Sequence, residues 1–137
     1  MVQVGLQSQE LYQSCGYGAE SFEWDGSSWT ASGDLNNPRN AQKPGGWGIQ
    51  TAAVLAGGYQ SPPATIISNT ETYNGTAWTE TGHSLVTALK RTATTTAGTN
   101  TSGMIFSGPV DAGSNNSSAI TQGYNGTAWF TQPSLAT

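Results

Sequence analysis

One short phrase occurs three times in this chain: Glu23-Trp24-Asp25-Gly26-Ser27-Ser28-Trp29, Thr72-Tyr73-Asn74-Gly75-Thr76-Ala77-Trp78 and Gly123-Tyr124-Asn125-Gly126-Thr127-Ala128-Trp129. Its closing Trp recurs at spacings of 49 and 51 residues. A period of about 50 residues marks one supersecondary unit copied in series, each copy burying a face against the next. This constrains the fold more than any other feature of the chain.

The second copy reads most clearly. Gln50 to Tyr59 is an apolar run ending in Gly57-Gly58-Tyr59. A loop with Pro62 and Pro63 follows, then Ala64-Thr65-Ile66-Ile67 and the alternating Thr70-Glu71-Thr72-Tyr73. Asn74-Gly75 predicts a tight hairpin of type I′, in which both central residues take positive φ. Thr76 to Glu80 is the returning strand, and Leu89 to Thr96 opens the next unit. The third copy aligns through Thr101 to Gly108, a variable loop over Asp111 to Ser118, and Ala119 to Tyr124. The first copy aligns through Gln9 to Gly18, with Met1 to Leu6 as its opening strand. Four antiparallel strands per unit at this period predict β-propeller blades. The expected units are about 1–38, about 39–88 and about 89–137, in a single domain over 1–137.

Composition supports an all-β fold. Only 9% of the 137 residues are charged, against about 25% in an average soluble domain. Gly, Ser, Thr and Asn are abundant; they make poor helices and suit short strands and tight turns. The net charge of −4 disfavours a nucleic-acid partner, because phosphate binding needs clustered Lys or Arg. Arg39, Lys43, Lys90 and Arg91 read as a structural echo between two repeats. No apolar run has the length of a membrane span. No secretory signal is expected at Met1, and Cys15 stands alone, so no internal disulfide is expected.

The repeated positions are expected to be structural. Trp29, Trp78 and Trp129 are expected to pack between neighbouring units, with Trp24, Tyr73 and Tyr124 in the same layer. Gly26, Gly75 and Gly126 belong to the turns. Gly57, Gly58, Gly16 and Gly108 end a strand where the backbone crowds. His83, the one histidine, reads as a solvated connecting residue, because a metal site or catalytic triad needs partners that the sequence does not supply. Asp111 with Asn115 and Asn116 offers one carboxylate, too little for Ca²⁺. Several Asn-x-Ser/Thr matches, including Asn74, Asn100 and Asn125, are accounted for by turn chemistry or left unused without a secretory leader. Catalytic, metal and cofactor-binding residues are expected to be none. Trp47 has no counterpart in the other units, and with Tyr17 and Tyr59 it is the candidate ligand or interface contact.

Gly57-Gly58 followed by Tyr73 and Trp78 resembles the kelch repeat of β-propellers. The phrases Thr70 to Glu80, Trp24 to Thr30 and Thr51 to Tyr59 are similar to kelch-like repeats in structural proteins of tailed bacteriophages, cyanophages among them. The first copy departs from the pattern with Cys15-Gly16-Tyr17, and the third with Gly108-Pro109. The resemblance implies a non-enzymatic virion protein, in capsid decoration or the tail, assembled in the host cytoplasm. Galactose-oxidase-type kelch enzymes need Tyr and His copper ligands, and sialidases an arginine triad; neither set is present here. Propellers have about four to eight blades, so three units imply completion by self-association, as a dimer with six blades, or by docking on another virion protein. The alternative function is a glycan-binding module for host attachment, built on Trp47, Tyr17 and Tyr59.

Overall fold

A computed structural model describes residues 3–4, 10–13, 17–40, 45–95 and 99–136, with side chains from residue 18 onward. The fold is all-β, and no helix occurs among the described residues. Each copy of the repeat contributes one antiparallel four-stranded sheet. The first joins Gln3–Val4 (β1), Glu10–Gln13 (β2), Ser21–Trp24 (β4) and Trp29–Ala31 (β5). The second joins Gly45–Ile49 (β7), Ala52–Ala56 (β8), Asn69–Tyr73 (β11) and Trp78–Ser84 (β12). The third joins Ala93–Thr94 (β13), Gly103–Gly108 (β14), Ser118–Tyr124 (β15) and Trp129–Gln132 (β16).

Register makes the three sheets directly comparable. Trp24 pairs with Trp29, Tyr73 with Trp78, and Tyr124 with Trp129. Each pair stacks in a tilted arrangement, with ring centroids 5.1, 5.1 and 5.0 Å apart. Glu71 opposes Leu55 just as Gln122 opposes Ile105. A residue of one sheet therefore has a definable counterpart in the next.

The hairpins form where expected, but with a different turn. Gly26, Gly75 and Gly126 have φ of 101°, 95° and 93°, while Asp25, Asn74 and Asn125 do not share the positive region. The loop is four residues long, closed by the Asn74 N–H donating to the Ala77 carbonyl at 3.3 Å. The Asn74 side-chain oxygen accepts from the N–H groups of Thr76 and Ala77 at 2.9 and 3.0 Å. Asn125 and Asp25 repeat this. A short polar side chain that caps its own turn makes the second positive φ of a type I′ turn unnecessary.

A fourth sheet was not legible from the sequence. Tyr17–Gly18 (β3), Arg39–Asn40 (β6), Tyr59–Gln60 (β9) and Thr65–Ile66 (β10) pair into a ribbon that draws on two repeats. Segments two residues long show no periodicity. Among the described residues the opening strand of the third unit is also shorter than the expected Leu89 to Thr96: Ala93–Thr94 is in register with Phe106 and Ile105, and the Thr95 N–H donates to the Met104 carbonyl.

The double glycine turns the chain sharply: Gly57 and Gly58 have φ of 69° and 110°. A Cβ on Gly57 would lie 2.6 Å from the Leu89 carbonyl oxygen, so close backbone approach adds to the conformational demand. In the third repeat the counterpart is Ser107-Gly108, at 62° and 117°, one residue earlier than Gly108-Pro109. Ser107 takes a conformation that L-residues other than Gly seldom adopt.

Candidate functional site

The sheets meet face to face, and the same joint is built twice. In the first, Trp78 packs with Leu35, Ala53, Leu55 and Tyr73, and its indole N–H donates to the Ser21 hydroxyl of the preceding sheet at 3.2 Å. In the second, Trp129 packs with Trp47, Val54, Leu85 and Tyr124. Its indole N–H donates to the Thr70 hydroxyl of the preceding sheet at 2.8 Å. Ser21, Thr70 and Thr121 are counterparts, each located where the third strand of its sheet pairs back on the second. Alternation along that strand sends the aromatic positions to one face and the hydroxyl to the other. Each inner joint thus has a Trp side and a hydroxyl side.

The connecting segments are latched by one polar side chain per joint. The Glu71 carboxylate accepts from the backbone N–H groups of Asn36 and Asn37 at 2.7 and 3.1 Å. It also pairs with Arg39 at 2.5 Å, with both side chains fully buried. Burial pushes the Arg39 pKa down and the neighbouring Glu71 charge opposes that. At the second joint Gln122 does the latching: its amide accepts from the Thr87 N–H at 3.0 Å and donates to the Thr87 carbonyl at 2.8 Å. The counterpart of Arg39 there is Leu89, also fully buried. A neutral amide with an apolar neighbour thus replaces an ion pair. Leu35 and Leu85 follow their sheets in the same way, donating to Ala19 and Ser68 at 2.9 Å and reaching the next sheet's aromatic layer.

At the two ends of the stack the same positions are open. Trp78 and Trp129 are 7% and 8% exposed, whereas Trp29 is 46% exposed. Leu35 and Leu85 are 4% and 5% exposed, whereas Leu135 is 45% exposed although its N–H makes the equivalent bond to Ala119. The Thr121 hydroxyl is buried without a hydrogen-bond partner among the described residues. The expectation that the repeated Trp residues share one environment therefore needs correction at Trp29, whose face meets no other sheet among the described residues.

Trp47 also departs from expectation. It lies within β7, 1% exposed, with its indole N–H donating to the Thr99 carbonyl at 2.8 Å. It meets Trp129 edge-on at 5.8 Å. A Cβ on Gly103 would lie 2.2 Å from its ring, so the missing side chain at Gly103 makes the room. Trp47 is core between the second and third sheets, and not an exposed contact. A glycine-rich flank suggested a loop, but here glycine permits close packing.

Tyr59 is half-buried, with the Lys90 ammonium 5.1 Å above its ring. Lys90 is itself buried and donates to the Ala112 carbonyl at 2.7 Å. Arg39 and Lys90 are both buried, and each donates to a backbone carbonyl. Tyr17 pairs with Asn40 through its backbone, and Cys15, Gly16 and Lys43 lie outside the described residues. His83 sits in β12 and not in a connection, with its Nδ1 2.9 Å from the Tyr124 hydroxyl of the next sheet. Asp111 accepts from the Gly113 N–H and closes its own turn. A half-open cleft of about 240 Å³ is lined by Pro38, Gln60, Ser61 and Pro62. No helix of the described residues is long and apolar enough to cross a membrane.

These features define an all-β protein of stacked repeat sheets whose chemistry is concentrated at sheet-to-sheet joints. No protein-family model matches the chain, and no curated protein does. Among solved structures it is similar to one described as "Structure of YjhT", with a TM-score of 0.78 and 11% identity. The match covers 97% of this chain and 49% of that one, so the chain spans about half the length of the structure it matches. At that identity the likeness concerns the fold.

Proposed function

We propose that the three repeat sheets are blades of a kelch-like β-propeller. In this reading the chain is a non-enzymatic structural protein of a tailed-phage virion, on the capsid or tail, acting through protein–protein assembly. The observation that carries it is the contrast between Trp29, 46% exposed, and its buried counterparts Trp78 and Trp129. An open sheet face that carries the aromatic side of such a joint is suited to receive a further sheet. Exposed apolar sheet faces otherwise favour uncontrolled association. The likeness of Thr70 to Glu80 and Trp24 to Thr30 to phage kelch-like repeats points to the virion.

The test is to purify virions from cells making this chain and map it by peptide mass spectrometry and antibody labelling in electron micrographs. Stoichiometric presence at a regular virion position is expected. Its absence from intact particles would sink the reading.

A glycan-binding role for host attachment is the second reading, favoured by the half-open cleft lined by Pro38, Gln60, Ser61 and Pro62. Trp47 no longer contributes to it, and Lys90 already covers one face of the Tyr59 ring. Binding on a glycan array that is lost in Gln60→Ala would favour this reading over a purely structural one.

A further inference from the structure

Strands β6 and β9 of the ribbon pair through Asn40 and Tyr59. The residues that flank this pairing, Pro38 ahead of β6 and Gln60, Ser61 and Pro62 at the end of β9, line the half-open cleft of about 240 Å³. One hydrogen bond joins its two sides: the Gln60 side-chain N–H donates to the Pro38 carbonyl at 2.9 Å. That bond occupies the donor end of the amide and sets its plane, which leaves the Gln60 carbonyl oxygen to accept. Ser61 is half-buried and adds a hydroxyl able to donate or accept. Pro38 and Pro62 are exposed and present apolar ring surface. In the third unit the corresponding loop is drawn down onto its connector instead. There the Lys90 ammonium donates to the Ala112 carbonyl at 2.7 Å, and the Arg91 guanidinium donates to Asn115. The second unit's loop is held by the Gln60–Pro38 bond, and the cleft is open beside it.

We propose that this cleft binds one ring of a neutral saccharide, an inference that rests on the glycan-binding reading. Size sets the first limit. At about 240 Å³ the cleft falls below the roughly 300 Å³ at which ligand pockets usually begin, so it takes a single ring, and a longer glycan continues into solvent through the open side. Its chemistry sets the second. The proline rings give close contact to the C–H face of a sugar, the Gln60 oxygen accepts from one sugar hydroxyl, and the Ser61 hydroxyl bonds to another. A wholly apolar ligand would strip both polar groups of water and return nothing. Charge sets the third. No lining residue is charged. Arg39, next to Pro38, is buried and paired with Glu71, and the Lys90 ammonium is held by Ala112. An acidic sugar would enter without a counter-charge, against a chain of net charge −4. An extended peptide is disfavoured too, because β6 and β9 are the two inner strands of the ribbon and neither offers a free edge.

The test is an amide NMR titration of the full chain with methyl glucoside, methyl galactoside and methyl mannoside, and with glucuronic acid as the acidic probe. At least one neutral glycoside is expected to shift the Gln60 side-chain amide and the Ser61 N–H in a saturable way. Gln60→Ala, followed at the Ser61 N–H, and Ser61→Ala, followed at the Gln60 amide, each remove one hydrogen bond to the sugar. Each is expected to weaken binding about five-fold, while unshifted signals elsewhere show that the variant is folded. The absence of any shift at the highest soluble glycoside concentrations overturns the proposal. So do shifts confined to other residues, an affinity unchanged in both variants, or glucuronic acid binding as tightly as the neutral glycosides. A glycan array separates this site from the reading it rests on. Array binding that survives both variants defeats the cleft alone, and a silent array beside clear shifts at Gln60 and Ser61 defeats host attachment alone.

Discussion

Replacing Trp78 and Trp29 by Ala, one at a time, separates an inner joint from an open one. The aromatic side chain carries about 200 Å² of surface, each Å² worth about 25 cal/mol when buried. Trp78 is 7% exposed, so its burial is worth about 4–5 kcal/mol, or about 3–4 after allowing for a compact denatured chain. Its loss also leaves the Ser21 hydroxyl without the indole donor, now 3.2 Å away, which adds about 1 kcal/mol. Trp29, 46% exposed, has about half that burial, so about 2 kcal/mol is expected from Trp29→Ala. For a chain of this length 1 kcal/mol moves the melting temperature by about 3–4 °C. Trp78→Ala should therefore melt at least about 10 °C below wild type, and Trp29→Ala about 6–8 °C below it when measured dilute. Urea melts of the two variants measure both costs. Equal costs for the two residues would refute the distinction between inner and open joints.

Further outcomes follow from other parts of the stack. Glu71→Gln should cost about 3–5 kcal/mol in urea unfolding, because it strands the fully buried Arg39 without a counter-charge. Arg39→Leu with Glu71→Gln copies the Leu89 and Gln122 arrangement and should return to within about 2 kcal/mol of wild type; additive costs would contradict the counterpart assignment. Gly57→Ala should destabilise by several times the roughly 1 kcal/mol of Gly82→Ala, because Gly82, at φ 73°, has open space around a new Cβ. By the same reasoning Ser107→Gly, at φ 62°, should stabilise the chain by about 0.5–1 kcal/mol in the same melts. The Asp25 carboxyl is held well below the usual carboxylate range, first by the Ser28 and Ser27 N–H groups and then by their hydroxyls. Its folded-state pKa is depressed, so its stabilising effect is complete above the unfolded value of about 3.9 and declines in acid below it. Carboxyl NMR should find Asp25 still ionised at about pH 3, and a titration midpoint near the ordinary value would contradict the turn geometry.

The legible parts of the fold were those set by local chemistry. Asp25, Asn74 and Asn125 with their following glycines marked the hairpins, since turn formation depends on a few adjacent residues. The turn class was misjudged, because the side-chain cap and the Asn φ are decided together. The Trp78 and Trp129 layer was legible from its period. The ribbon of two-residue strands was not, since its members come from distant segments and carry no pattern of their own. Trp47 was misplaced because Gly103, which vacates its site, lies far away in sequence. The Glu71 latch was missed for the same reason: nothing near Glu71 in sequence announces Arg39, Asn36 or Asn37.

The sequence by itself determined that one strand-rich unit is repeated three times and where each hairpin turns. Periodicity and backbone preference are properties of short stretches of chain. Only the tertiary structure decided which face of each sheet is buried. The pairing register makes Trp78 and Trp129 inner residues and their counterpart Trp29 an outer one, although the three phrases read alike. Burial depends on what stands across the face, and for the first sheet no other sheet among the described residues stands there.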